Sequence, residues 1–164
     1  MKEVRLYPVE VKDNDQFLHG TSSKRYLSIK SSGFLLRKNV DKNYPISHPG
    51  AIYFEKYDRA GTYAGLNAGE FIEKCISDHC RVSCKRDKSS EAVILQITGK
   101  ELKKLGCTIY VDRNKNLPLK RSESGEAIRP LIVDSNYPVF SIMIVDKDIP
   151  FEYLKIFKKI PFKE

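Results

Sequence analysis

Phe17-Leu18-His19-Gly20-Thr21-Ser22-Ser23 begins as an apolar run and ends in a histidine, a glycine and hydroxyl residues. Gln16–His19 reads as a short strand. Ser22–Ser32, with Tyr26, Leu27 and Ile29 as its apolar positions, reads as a short helix stopped by Gly33. The corner between them sets one imidazole beside exposed backbone. Glycine has no Cβ, so a ligand can come close to the main chain there. The backbone N–H and C=O can clamp an amide while His19 donates to a hydroxyl. A strand-end histidine in a turn suits the same residues.

Outward from this corner, Val4–Val9 reads as a strand, Phe34–Leu36 as extended chain and Asn39–Gly50, with Pro45 and Pro49, as a loop. Ala51–Phe54 is a short apolar strand. Asp58 has the character of a helix cap, so Asp58–Ala64 is expected to be helical, and Ala68–His79 forms a second helix. Arg81–Ser90 is basic and without apolar periodicity, a surface loop. Ala92–Ile97 carries the strongest strand signal of the middle of the chain. Lys100–Leu105 follows as a helix ending at Gly106, then Thr108–Val111 as a strand and Asp112–Pro130 as a polar loop. Val139–Val145 is a β-rich strand, and Asp148-Ile149-Pro150 turns into Phe151–Phe157. The expectation is one α+β domain spanning residues 1–164.

The 164 residues suit one compact domain, and 41% hydrophobic with 30% charged residues is ordinary globular usage. That composition excludes disorder, coiled coil and collagen-like structure. The longest apolar runs, such as Phe140–Val145, fall far short of the roughly 20 residues of a membrane span. Met1-Lys2-Glu3-Val4-Arg5 is charged with no apolar stretch behind it, so no secretory signal is expected. Cys75, Cys80, Cys84 and Cys107 then read as free thiols of a cytoplasmic protein. Cys75, His79, Cys80 and Cys84 match no tight zinc spacing, and no metal is expected. Lys and Arg total 29 against 21 acids, a net charge of +8, which points to an anionic partner.

Gly50-Ala51-Ile52-Tyr53-Phe54 is followed ten residues later by Tyr63, in Gly61-Thr62-Tyr63-Ala64. Two tyrosines so spaced can flank a flat ring, although aromatic residues on such elements also serve as core. Together, His19-Gly20-Thr21, Ile29-Lys30-Ser31-Ser32-Gly33-Phe34, Gly50-x-Ile52-Tyr53-Phe54 and Tyr63 resemble the ADP-ribosyltransferase fold. The likeness is to its diphtheria-toxin/poly-ADP-ribose-polymerase branch, with a His-Tyr-Glu signature, and covers roughly residues 16–66. It implies a split central β-sheet with short peripheral helices, and NAD+ as co-substrate. By this resemblance His19 holds the adenosine-ribose 2′-hydroxyl and Gly20, with Thr21 beside it, clamps the carboxamide. Tyr53 and Tyr63 stack on the nicotinamide, and Arg37 contacts the pyrophosphate. The implied activity is mono-ADP-ribosyl transfer to a macromolecule, with nucleic acid favoured by the charge and a protein acceptor as the alternative. Small stand-alone domains of this kind resemble toxin or phage-defence effectors, which implies a neutralising protein partner of antitoxin type.

One departure stands out. The family's glutamate begins the strand expected at Val139–Val145, and Asn136-Tyr137-Pro138-Val139-Phe140-Ser141-Ile142 contains no acid. Breaking the nicotinamide–ribose bond builds positive charge on the sugar carbon, as in glycosidases, and a carboxylate there lowers the barrier. Glu126, in Arg121-Ser122-Glu123-Ser124-Gly125-Glu126, is the candidate, with a solvated loop charge as the other reading. Without an acid the chain would be an NAD- or ADP-ribose-binding module.

Overall fold

The computed structural model describes residues 6–8, 10–37, 51–57, 62–63, 66–112, 120–121, 127–128, 141–144 and 146–162. In chain order the first strands are β1 (Leu6–Pro8), β2 (Gln16–Ser22), β3 (Phe34–Leu35), β4 (Ile52–Tyr57), β5 (Thr62–Tyr63) and β6 (Leu66–Asn67). The later ones are β7 (Glu91–Thr98), β8 (Ile109–Asp112), β9 (Lys120–Arg121), β10 (Ala127–Ile128), β11 (Ser141–Ile144), β12 (Ile149–Pro150) and β13 (Lys155–Pro161). Helix α1 (Ser23–Ser32) follows β2, α2 (Ala68–Asp87) precedes β7, and α3 (Gly99–Leu105) follows it.

Seven strands join in the order β1-β8-β11-β4-β2-β7-β13, and every pair is antiparallel. Strand β7 shows why helices cover both faces. Its Val93, Leu95 and Ile97 join Phe17, Ile52, Phe54, Ile142 and Ile144 in one core, with Ile29 of α1 and Leu102 of α3. Its Ala92 and Ile94 face the other way, onto Leu18 and the Ile76, Cys80 and Cys84 side of α2. A strand buried on both faces reads as a continuous apolar run, which is how Ala92–Ile97 looks in sequence.

The helix ends follow their local chemistry. Ser22 caps α1, its Oγ accepting from the Arg25 amide at 3.1 Å, and Gly33 closes it at φ 84°, where a side chain would be strained. Thr98 and Glu101 form a capping box on α3, and Gly106 ends it.

Three sequence expectations are corrected. Helix α2 has 20 residues and continues to Asp87, through the stretch read as a basic loop. Ile76, Cys80, Ser83 and Cys84 are buried at helical spacing while Arg81 and Lys85 are exposed, so charges on the outer face hid the periodicity. The helices are therefore not all short. In place of a helix at Asp58–Ala64, Thr62–Tyr63 is a strand paired with Leu66–Asn67; the rest of that segment lies outside the described residues. Within the expected loop Asp112–Pro130, Lys120–Arg121 pairs with Ala127–Ile128. The loop Asn39–Gly50 lies outside the described residues.

Candidate functional site

The geometry centres on the place where β2 parts from β4. Along β7, β2 pairs for its whole length, from Gln16↔Thr98 to Ser22↔Ala92. Along β4 it pairs only through Gln16↔Tyr57, Phe17↔Lys56 and Leu18↔Glu55. Past Leu18, no β2 residue pairs with β4 among the described residues, so the sheet opens into a seam at His19.

Alternation along the strands assigns the faces. Phe17 belongs to the core shared with Phe54, so His19 and Thr21 lie on that face. Leu18 belongs to the α2 side, as do Gly20 and Ser22. A Cβ added at Gly20 would stand 2.5 Å from Cys80 Sγ and 3.1 Å from Ile76 Cγ2, so glycine lets β2 lie directly on α2. On β4, Tyr57 packs on the α2 side and donates its hydroxyl to Glu73 Oε1 at 3.2 Å. Tyr53 and Glu55 share that face by the same alternation.

His19 bridges the seam. Its Nδ1 lies 2.7 Å from the Tyr53 carbonyl oxygen, and its ring centroid is 5.5 Å from that of Phe54. A carbonyl only accepts, so Nδ1 carries the proton, and in the neutral ring Nε2 carries the lone pair.

Of the other expected site residues, Tyr53 is half-buried on β4 and is joined to His19 through its backbone, while its ring lies on the opposite sheet face. Tyr63 is on β5 opposite Leu66; its side chain is outside the described residues. Thr21 is buried, 2% exposed, and its Oγ1 has no hydrogen-bond partner among the described residues. Arg37 is tied to the corner where β3 pairs with β12. Its amide donates to Asp148 Oδ1 at 2.7 Å, and its Nε lies 3.7 Å from the same oxygen. Glu126 lies outside the described residues.

Behind Gly20, burial, with the neighbouring Cys84 adding to it, pushes the Cys80 thiol up to about 12, only partly offset by the Thr21 amide. Cys84 is likewise raised, by burial and then by Asp87. Among the described residues no group of three or more His, Cys, Asp or Glu is placed to hold a metal ion. Where α1 begins, Ser22 Oγ donates to Asp87 Oδ2 at 2.6 Å, tying the end of α2 to the end of β2, and Arg86 Nε donates to Asp87 Oδ1 at 3.0 Å within α2. Burial raises the Asp87 carboxyl, but hydrogen bonds from Arg86 and Ser22 and the charges of Arg86 and Arg25 outweigh it and hold it below the ordinary carboxylate value.

Glu55 is not among the residues the sequence singled out. It sits at the last β2–β4 pair before the seam, half-buried, with its Oε2 buried. Its place two residues after Tyr53 puts both on one face of the strand.

No helix among the described residues is long and apolar enough to cross a membrane. Comparison of the chain with protein-family models, curated proteins and solved structures returned no match.

Proposed function

We propose that the chain is an NAD+-dependent mono-ADP-ribosyltransferase whose favoured acceptor is a nucleic acid. The observation that carries this reading is the seam at His19, bridged by the hydrogen bond from Nδ1 to the Tyr53 carbonyl. A split sheet beside a His-Gly strand is what the resemblance implies, and two of the motifs that carry it, His19-Gly20-Thr21 and Ile52-Tyr53-Phe54, flank the split. NAD+ in the seam would meet the His19 imidazole through a ribose hydroxyl and the Gly20 backbone through the carboxamide, and it would have to cross the seam to stack on Tyr53, whose ring is on the other sheet face. Among the described residues Arg37 is engaged by Asp148, so a pyrophosphate would have to share it with that carboxylate.

The acceptor is argued from charge. Exposed Arg81, Lys85 and Lys88 follow one another at helical spacing along the outer side of α2 and its end, and a net charge of +8 exceeds what one dinucleotide needs. A protein acceptor is the alternative, and a neutralising protein partner remains part of the proposal. A second reading, an NAD- or ADP-ribose-binding module without transfer, is favoured by one observation: β11 begins at Ser141 and carries no acid.

The test incubates the protein with labelled NAD+ and, separately, single-stranded RNA, single-stranded DNA and lysate protein, beside a His19→Ala control. Label on a nucleic acid, lost in the control, supports the proposal. Label on protein alone moves the acceptor to protein. NAD+ binding without cleavage supports the module, and absence of binding removes both readings.

A further inference from the structure

We propose that β13 and the C-terminal half of α2 form a cationic rail that holds a single-stranded nucleic acid by its phosphates. The proposal rests on the acceptor part of the reading above, and its test runs without NAD+, so the two can fail separately. Strand β13 is the outermost strand of the seven-stranded sheet, with no partner on its outer edge among the described residues. Lys155 lies opposite Gln96 and Lys158 opposite Ile94, and a register shift between Ile156 and Lys158 leaves Phe157 without a ladder partner. In a regular strand, side chains three residues apart point to opposite faces. The shift instead sets both lysines opposite residues two apart on β7, so they share the face on which Ile94 meets α2. Two strand residues span about 7 Å, close to the separation of successive phosphates along a nucleic-acid chain.

The row continues onto α2. Phe157, Ile160 and Phe162 pack against the Ile76, Cys80 and Cys84 side of that helix, and the Arg81 guanidinium stands 5.9 Å from the centre of the Phe162 ring. Lys85 and Lys88 follow Arg81 at steps of four and three residues, which carries the charge about 10 Å further. Lys155, Lys158, Arg81, Lys85 and Lys88 are all exposed, and the four lysines make no ion pair among the described residues. Acids bound the row at its ends: Asp78 lies one turn before Arg81, and Glu152 three residues before Lys155. Asp87, between Lys85 and Lys88, accepts from Ser22 and Arg86. Glu91 neighbours Ala92 on β7 and so lies on the other sheet face.

Register also relates the rail to the seam. Gly20 lies opposite Ile94 and Ile94 opposite Lys158, so Lys158 is two strand spacings, about 10 Å, from Gly20. At the other end of the row, Lys88 follows Asp87, which is bonded to Ser22 at the end of β2 that has parted from β4. A strand on the rail therefore passes the end of the sheet where the seam opens. Lysines, a bulge and Pro161 also keep a free edge from pairing with another sheet. That purpose needs no cations on α2, whereas a polyanion uses both elements. The cations form one line, which suits the one backbone of a single strand, and Arg81 on Phe162 offers a flat face to a base.

The experiment follows binding by fluorescence anisotropy, without NAD+, to a labelled single strand of about 15 nucleotides as RNA and as DNA, to the matching duplex and to poly-glutamate. Wild type is compared with Lys155→Gln/Lys158→Gln and Lys85→Gln/Lys88→Gln across salt concentrations, with a thermal melt of each. Lys100→Gln/Lys104→Gln, on α3 at the far end of β7, is the control of equal charge change. Five phosphate contacts correspond to a slope of log affinity against log salt of about −3.5 for wild type. Each rail pair should flatten it by about 1.4 and weaken binding about tenfold near physiological salt, while the control leaves both unchanged. Should one rail pair fail to fold, the other decides. Control losses equal to those of the rail pairs overturn the rail, as does duplex or poly-glutamate bound as tightly as the single strand. Rail variants that aggregate with affinity unchanged also overturn it, and leave the lysines as edge protection. Rail-dependent binding by a protein that never cleaves NAD+ supports the rail and removes the transferase reading. Transfer to nucleic acid that both rail pairs leave at the wild-type rate removes the rail and keeps the transferase.

Discussion

Replacing Gly20 by alanine tests the close approach of β2 to α2 beside the seam. The added methyl would lie 2.5 Å from Cys80 Sγ and 3.1 Å from Ile76 Cγ2. Ordinary non-bonded contact between heavy atoms begins near 3.5 Å, so β2 and α2 must separate by about 1 Å at this point. Cys80 offers little room to yield, because it is fully buried between Leu18, Cys84 and Ile94. Overpacking of this kind costs about 1–3 kcal/mol. At about 2–4 °C per kcal/mol for a chain of this size, the melting temperature should fall by about 2–12 °C. Cys80→Ala removes the offending sulfur and has its own cavity cost. If the contact is the cause, the double variant must be more stable than the sum of the single effects predicts, by at least about 1 kcal/mol in a urea-denaturation cycle. Additivity within about 0.5 kcal/mol would show that Gly20 does not bear on Cys80 and would remove the account of why β2 holds glycine here. On the proposed NAD+ site, the affinity of the folded Gly20→Ala variant for NAD+ should also fall, since the shift moves the backbone beside His19.

Ser22→Ala removes both the α1 cap and the hydroxyl donated to Asp87, so a loss of about 2–4 kcal/mol is expected in chemical denaturation; a loss below 0.5 kcal/mol would contradict the described link. Asp87 is held below its ordinary value of 3.8, so its contribution to stability is complete above that value and is lost as pH falls through the lower folded value. Acid unfolding followed by circular dichroism should therefore show less dependence on pH below 3.8 in Asp87→Asn than in wild type, and equal slopes would contradict the assignment. With the Cys80 thiol at about 12 and Cys84 also raised, both should resist iodoacetamide in the native protein at pH 8 and react fully once unfolded. Peptide mapping that finds native Cys80 labelled at the rate of a free thiol would refute its burial.

Much of the sheet was legible because its strands carry strong local signals. Ala92–Ile97 stands within the observed Glu91–Thr98, and Gln16–His19 within Gln16–Ser22. Glycine punctuation gave the ends of α1 and α3, where Gly33 and Gly106 adopt positive φ. The second half of α2 was hidden because local reading weighs Arg81, Lys85, Arg86 and Lys88 as a charge cluster, whereas tertiary burial of Cys80, Ser83 and Cys84 fixes the helix. Thr62–Tyr63 went the other way, since a capping Asp58 predicts a helix only if nothing nearby offers strand pairing, and Leu66–Asn67 does.

The site was legible where its chemistry is contiguous and illegible where it is not. His19-Gly20-Thr21 could be read as a unit because one strand carries all three. The carboxylate could be sought only along the chain, which led to Glu126, the nearest acid before the expected strand apart from Asp134. Register is a relation between strands, and 86 positions separate Glu55 from Ser141 although they face each other. With no acid on β11, the choice between transferase and binding module falls to the labelled-NAD+ assay rather than to the order of residues along the chain.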